Sequence, residues 1–217
     1  MKKNARTSAR TETPATAKAT VRRRHRGVTT DMDILDSAER LFAKYGYDSV
    51  STKQLAAETG VTIGALYHHF PSKEALYNAV TERAFAKHSI LPDDLFAADD
   101  SKEKKLSRLI AWFIANLAAD ETFGQLLQRE LLDARAVNGD GLIRKYFSKP
   151  TTRFKTLLGE LLPNANLDAA FATTLALCIG FANLKGVYIM APGARQLLDS
   201  PDNIADYATR LLLGGLH

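Results

Sequence analysis

The sequence predicts an all-α protein with an N-terminal three-helix helix-turn-helix domain and a C-terminal helical domain. Apolar residues recur at helical spacing along most of the 217-residue chain, and the alternation typical of strands is almost absent. Capping residues, Gly and Pro divide this pattern into short helices first and longer helices later. With 46% hydrophobic and 24% charged residues, the composition is that of an ordinary globular protein.

Residues 1–29 are predicted to form a disordered basic arm. They hold nine Lys or Arg and one Glu, a net charge of +8, whereas the rest of the chain has 20 basic and 23 acidic residues and carries −3. Almost none of their side chains is large and apolar, so packing cannot offset the entropy lost on ordering. The run from Arg22 to Arg26 fits binding to a polyanion, but it also fits a solubilising terminus; both interpretations stay open.

Several classes of protein are disfavoured by composition. The one cysteine, Cys178, excludes an intrachain disulfide framework and fits a reducing compartment, so we expect a cytoplasmic protein. The longest uncharged stretch, residues 169–184, is shorter than the roughly 20 apolar residues that cross a bilayer, and we expect no membrane association. No catalytic, cofactor or metal motif is apparent, and the adjacent His68 and His69 point about 100° apart on a helix.

Four short helices are expected in residues 30–88. The first carries an apolar stripe of Ile34, Leu35, Ala38, Leu41, Phe42 and Tyr45 and ends at Gly46. Ser51 and Gln54 form a capping box that begins the second helix, and Gly60 ends it in a left-handed conformation. Thr62 caps the third, which reaches about Phe70. After Pro71-Ser72, the fourth places Leu76, Val80 and Ala84 on one side.

Longer helices are expected in residues 89–217, after a domain boundary near residues 89–102 where Pro92 and four Asp interrupt the pattern. We place them at about 103–119, 121–136, 140–161, 167–190 and 201–213. Pro150 falls inside the third of these and is expected to kink or break it.

The second and third helices have the pattern of a helix-turn-helix. Ala56 is small where the third helix must cross, Gly60 supplies the turn, and Val61 and Leu66 fill the core behind the pair. Residues 62–69 then protrude enough to enter the major groove of DNA.

These residues resemble the TetR family of bacterial transcriptional regulators. The resemblance covers residues 34–83 and is carried above all by STKQLA at 51–56 and GVTIGALYHHFPSKEAL at 60–76. It implies a homodimer with an N-terminal DNA-binding domain and a C-terminal domain that binds a small molecule and dimerises. It also implies repression relieved by that molecule.

The resemblance assigns candidate DNA-binding residues. It implies phosphate contacts by Thr52, Tyr67, His69 and Lys73. It implies base contacts by Lys53, Thr62, Ile63, Gly64, Ala65 and His68, with Ser51 at the edge of this surface. The residues themselves support this division, because Lys73 begins a helix whose free N–H groups favour an anion.

The third helix is unusual because residues 62–69 contain no Lys or Arg. The commonest specific contact, from Arg or Lys to guanine, is therefore absent from it. We expect readout through Thr62, His68, the apolar Ile63 and Ala65, which suit thymine methyl groups, and Lys53 of the preceding helix. Deleting residues 1–26 should weaken operator binding and flatten its salt dependence.

The C-terminal half offers a candidate ligand pocket and a dimer surface. Apolar stripes there lie near Asn116, Gln125, Gln128, Glu130, Arg153 and Asn183, a mixture that suits a pocket but also an ordinary helix surface. The candidate ligand-binding residues are Trp112, Phe113, Asn116, Phe123, Leu127, Phe154, Phe171 and Cys178; Trp112 and Cys178 fit core packing equally. The apolar helix 167–190, with Tyr207, Leu211 and Leu212, would pair with its twin in a homodimer.

The expected function is therefore a ligand-responsive repressor that binds a palindromic operator as a dimer and is released by a small apolar effector. The fourth helix would carry the signal by changing the separation of the two recognition helices. One alternative is a helical small-molecule-binding protein or enzyme that retains the helix-turn-helix as a scaffold. Another is a DNA-binding activator or architectural protein without an effector.

Overall fold

The computed structural model describes residues 30–96, 99–132, 141–183 and 192–215. Within these ranges the chain is almost entirely helical and has no strand. The α-helices are α1 Asp31–Tyr45, α2 Thr52–Thr59, α3 Ile63–His69, α4 Lys73–His88, α5 Lys102–Ala119, α6 Glu121–Leu132, α7 Leu142–Leu161, α8 Leu167–Asn183 and α9 Pro201–Gly215, with 3-10 helices at Asp93–Phe96 and Pro192–Asp199. The predicted basic arm, and the predicted ends of two helices at 133–136 and 184–190, lie outside the described residues.

The capping pattern predicted for the helix-turn-helix is confirmed. The Ser51 hydroxyl accepts from the Gln54 N–H, and the Gln54 side chain accepts from the Ser51 N–H. Gly60 ends α2 with φ +74° in the left-handed region. The Thr62 hydroxyl accepts from the Ala65 N–H at 3.1 Å and begins α3. These local bonds fix the two helix ends that set the turn.

α1 departs from its predicted stripe at its end. Tyr45, expected to face the core, is 46% exposed, and the Lys44 ammonium lies 4.9 Å from the centre of its ring. Tyr45 is the last residue of α1 before the chain turns at Gly46, and at this end of the helix no neighbouring element buries the ring. The rest of the stripe is buried or half-buried as predicted.

Of the two outcomes predicted for Pro150, a kink or a break in the third long helix, the break is wrong, because α7 continues through it. Proline removes one N–H donor, which in a regular helix would bond to the carbonyl of Tyr146. Pro150 is buried, and the turns on either side are fixed by buried Phe147 and Phe154. Packing on both sides therefore outweighs the loss of a single backbone bond.

Two adjoining hydrophobic cores hold the helices together. The first begins between α1 and α4 around Phe42, Leu76 and Phe85 and continues without interruption to Phe123 of α6 and Phe147 of α7. The second lies among α5, α7, α8 and α9. Because the first core crosses position 88, the end of α4 is packed against the C-terminal helices and is not a free linker. None of the described helices is long and apolar enough to span a membrane.

Candidate functional site: nucleic-acid interface and ligand cavity

The outer face of α3 is exposed. Leu66 points into the core and is 2% exposed, whereas Ile63 and Tyr67 are 43% and 44% exposed. Gly64 and His68 share the exposed surface. A seven-residue helix thus presents an isoleucine and a tyrosine outward, which favours a binding role for this face.

The fold gives no reason for the glycine at position 64. Its backbone is helical, and a Cβ built there would meet only the Thr62 hydroxyl, at 4.0 Å. Glycine inside a helix costs about 0.8–1.0 kcal/mol relative to alanine. A surface without a side chain at this position instead allows another molecule to approach the backbone closely.

Two of the four residues expected at DNA phosphates, Lys73 and His69, are held by neighbours. Lys73 is the first residue of α4, and its ammonium lies 4.2 Å from the centre of the Tyr47 ring. His69 Nδ1 lies 2.5 Å from a carboxylate oxygen of Asp31, which ties the end of α3 to the start of α1. Both side chains are therefore oriented before any ligand arrives.

The start of α2 contributes the remaining expected residues. Lys53 is exposed and Thr52 is half-buried. The Ser51 hydroxyl donates to the Gln54 side chain at 3.0 Å and accepts from its N–H at 3.2 Å. Ser51 thus serves mainly as a helix cap, and Lys53 is the exposed cation of α2.

Residues 30–88 are slightly acidic, with six Lys or Arg against eight Asp or Glu. Arg83 pairs with Asp36 at 2.7 Å and also with Glu39. Burial lowers the pKa of Arg83, but these two carboxylates outweigh it and the net shift is upward. Arg83 therefore holds α4 on α1. Lys53 is exposed on α2, and Lys73 begins α4 directly after α3.

A cavity of about 630 Å³ lies among α5, α6, α7 and α8. Six of the expected ligand-binding residues line it: Trp112, Phe113, Leu127, Phe154, Phe171 and Cys178. Burial raises the pKa of the Cys178 thiol to about 12, so it acts as an apolar wall group, as its apolar sequence context predicts. Among the described residues, Glu130 and Arg144 are the charged ones that line the cavity, and of these sequence analysis singled out only Glu130.

Phe123 and Asn116 do not line this cavity, so the expectation that they contact a ligand there is corrected. Phe123 is fully buried and stacks on the His88 ring at 4.0 Å between centres. The Asn116 side-chain oxygen lies 3.3 Å from His88 Nδ1. Both belong to the faces of α5 and α6 that cover the end of α4. Helical spacing identifies a stripe but not which neighbour covers it.

Asp120 joins this end of α4 to α6. One carboxylate oxygen accepts from the Phe123 N–H at 3.0 Å and thereby caps α6. The other lies 3.0 Å from Lys87 Nζ and 3.1 Å from His88 Nε2. Burial raises the pKa of Asp120, but these three partners together lower it below its usual value.

Two consecutive residues of α6 connect the cavity side of the molecule to helices α1 and α4 of the N-terminal domain. Arg129 donates to the carbonyls of Ala43 and Lys44 in the last turn of α1, both at 2.8 Å. Glu130, in the cavity wall, accepts a hydrogen bond from the Tyr77 hydroxyl of α4. Sequence analysis missed these bonds because they join residues 53 or more positions apart with no local pattern.

The N-terminal geometry has a known counterpart. Residues 34–80 match the family model of the bacterial regulatory proteins of the tetR family. This part of the chain is a TetR-family domain. The outward α3 corresponds to the segment in which the sequence resemblance is strongest.

Proteins similar in sequence to this chain include a transcriptional repressor and a nucleoid occlusion factor. Over an aligned stretch of 85 residues, the chain is 39% identical to the HTH-type transcriptional repressor Rv1474c of Mycobacterium tuberculosis. This stretch covers 35% of this chain and 46% of that protein. The chain is 29% identical over 136 residues to the nucleoid occlusion factor SlmA of Shewanella woodyi. This stretch covers 60% of this chain and 68% of SlmA. The chain thus spans less than half the length of the first of these relatives.

Solved structures share the fold over most of the chain. The TetR-family regulator PfmR of Thermus thermophilus superposes with a TM-score of 0.63 at 18% identity, covering 88% of this chain and 99% of PfmR. The regulator FadR of Bacillus subtilis, solved with stearoyl-CoA, superposes with a TM-score of 0.57 at 17% identity, covering 87% and 100%. The C-terminal helices therefore also share the fold of these two solved structures.

Proposed function

We propose that this protein is a sequence-specific DNA-binding transcription regulator, a repressor that binds a palindromic operator as a dimer. The observation that carries the proposal is the outer face of α3. It exposes Ile63 and Tyr67 and leaves open space at Gly64, on a TetR-family domain. Such a face suits the major groove, which is about 12 Å wide and admits one helix.

The contacts would divide between base edges and phosphates. Base contacts fall to the exposed α3 face and to Lys53, and phosphate contacts to residues at its flanks. The base-contacting set is Lys53, Thr62, Ile63, Gly64, Ala65 and His68; the phosphate set is Thr52, Tyr67, His69 and Lys73. Since residues 30–88 are net acidic, we also propose that the basic arm supplies much of the attraction to DNA.

The dimer would form through α8 and α9. On α9, Tyr207 and Leu211 lie one turn apart and are 43% and 47% exposed. On α8, Ala172 and Ala176 are one turn apart, and a second helix could approach closely over such small side chains. Pairing these faces about a two-fold axis would form a four-helix bundle and cover the exposed apolar side chains.

The cavity would bind the effector. Its volume lies in the range of small-molecule sites, and its walls are mostly apolar. The structural neighbour FadR was solved with stearoyl-CoA, which supports ligand binding by a protein of this fold. A ligand that favours one orientation of α4 would release DNA, and DNA would weaken ligand binding by the same factor.

Selection of bound duplexes from a random pool tests the proposal. The full-length protein should enrich a two-fold-symmetric consensus, with the two half-sites about one helical turn or a multiple of it apart. Sedimentation of the free protein should give twice the chain mass, and Leu211→Glu should reduce it to one chain while Arg210→Glu, at the exposed neighbouring position, should not. Enrichment of no consensus would contradict the proposal and favour a scaffold role for the helix-turn-helix.

A further inference from the structure

Glu130 occupies two structural settings at once. It is a charged residue in the wall of a mostly apolar cavity, and its carboxylate accepts the hydroxyl of Tyr77 on α4. The other charged lining residue in the described part of the chain, Arg144, is exposed, whereas Glu130 is half-buried. An ion pair with Glu130 would be less screened by water than one with Arg144, so Glu130 discriminates more strongly between ligand charges.

Tyr77 lies between the cavity wall and the side of the molecule that is proposed to face DNA. Its ring packs edge-on against Phe42 and against Tyr47, each at 5.1 Å between centres. The Lys73 ammonium lies 4.2 Å from the centre of the Tyr47 ring. A continuous series of contacts, Glu130 to Tyr77 to Tyr47 to Lys73, therefore joins the cavity to a residue proposed to hold a DNA phosphate.

The carboxylate of Glu130 can exchange the Tyr77 hydroxyl for a stronger donor. A charged N–H group bonds to an ionised carboxylate more strongly than a neutral hydroxyl does. The cavity's buried threonine, Thr174, already donates to the carbonyl of Ala170. Glu130 is thus the lining group best suited to fix the polar end of an apolar ligand.

We propose that the cavity takes an apolar molecule bearing a protonated amine, that Glu130 binds the ammonium, and that this bond replaces the one from Tyr77. Loss of the Tyr77 bond would alter the position of the Tyr77 ring, which packs on the Tyr47 ring, and Lys73 in turn lies over the Tyr47 ring. This inference names the effector class and the coupling route for the function proposed above, and it rests on that function only for its effect on DNA.

The chain contains its own reporter for the test. Its one tryptophan, Trp112, lines the cavity, so its fluorescence reports occupation of this site alone. Dodecylammonium and dodecanoate, titrated below their micelle concentrations at neutral pH, differ in headgroup charge and share one tail. We expect dodecylammonium to bind at least tenfold more tightly than dodecanoate.

Three variants of the intact protein separate the parts of the proposal. Glu130→Gln should abolish the preference for the ammonium, whereas Glu121→Gln, the same change at an exposed position of α6, should retain it. Tyr77→Phe should bind dodecylammonium several-fold more tightly, because Glu130 no longer has an internal donor to exchange. Thermal unfolding of each variant confirms that it is folded.

Equal binding of the two amphiphiles, or a preference that survives Glu130→Gln, would overturn the assignment of the ligand class. Unchanged affinity in Tyr77→Phe would overturn the exchange. These measurements contain no DNA, so they fail or succeed independently of the regulator function.

The effect on DNA is measured with a duplex enriched by selection. Dodecylammonium should release the wild-type protein and Glu121→Gln from the duplex, but it should not release Glu130→Gln or Tyr77→Phe. Any effect of the amine binding to the DNA itself would be the same for all four proteins. Release of Tyr77→Phe at the wild-type concentration would overturn the route through Tyr77.

Discussion

The guanidinium of Arg129 lies where a side chain at Gly46 would project. A Cβ built on Gly46 would be 2.8 Å from Arg129 Nη1. The same guanidinium bonds the carbonyls of Ala43 and Lys44. Gly46 therefore ends α1 and also makes room for the residue that fastens α6 to it.

Replacing Gly46 by Ala should destabilise the protein by more than the backbone alone requires. The conformation at Gly46, φ +79° and ψ 164°, is one that other residues rarely adopt, at a cost of about 1–3 kcal/mol. The new methyl group would also displace Arg129 from its two carbonyls. In urea unfolding, Gly46→Ala should lose more unfolding free energy than Gly60→Ala. Gly60 also has a positive φ, but a Cβ built there would have nothing within 4 Å.

A double-mutant cycle isolates the contribution of Arg129. Once Arg129→Ala has removed the guanidinium, Gly46→Ala should cost less than it does in the wild type, because only the backbone strain remains. Additive losses of unfolding free energy would show that the two residues do not interact.

Gly64→Ala should change stability and DNA binding in opposite directions. Alanine fits the open space on α3 and should raise the unfolding free energy by about 0.8–1.0 kcal/mol. Its methyl group would separate α3 from the groove and weaken binding to a selected duplex, by roughly tenfold if one base contact is lost. A more stable variant with unchanged affinity would show that the Gly64 surface does not approach DNA.

Ile63 should read thymine methyl groups. Replacing the contacted thymines of the selected duplex by uracil removes those methyls and should weaken binding roughly fourfold per lost contact, as expected for about 0.8 kcal/mol per apolar carbon. In Ile63→Ala the same replacement should have little effect. Equal sensitivity to uracil in both proteins would assign the methyl contact to another residue.

Asp120 should make stability fall in acid. Its pKa is lowered on folding, so its contribution is complete above the unfolded pKa, near 4, and is lost as pH falls through the lower folded value. At neutral pH, Asp120→Asn keeps a capping oxygen but loses the charged bonds to Lys87 and His88, at a cost of roughly 1–2 kcal/mol. Unfolding measured from pH 6 to pH 2 should show this difference shrinking below pH 4, and a constant difference would contradict the assignment.

Local chemistry made the helix-turn-helix predictable from sequence. Ser51, Gly60 and Thr62 each act within four residues of their own position, so the sequence pattern alone places the ends of α2 and α3. Exposure of Ile63 follows from the same pattern, because the buried Leu66 defines the inward side.

Contacts between distant helices were not predictable. Phe123 has the apolar character of a pocket residue, but α6 turns it onto His88. Arg129 and Glu130 gave no sign that one would bind α1 and the other α4, since those bonds depend on how whole helices pack. The continuity of α7 through Pro150 was unpredictable for the same reason, because the packing around α7 outweighs the local propensity of proline.

The affinity of Tyr67→Ala for the selected duplex tests the central claim most directly, with Tyr45→Ala as the matched control. The two tyrosines are almost equally exposed, at 44% and 46%, but only Tyr67 lies on α3. If α3 faces DNA, Tyr67→Ala should remain folded and bind at least tenfold more weakly, as for a lost hydrogen bond to a charged group, while Tyr45→Ala binds as the wild type does. Wild-type affinity in folded Tyr67→Ala would contradict the placement of α3 against DNA.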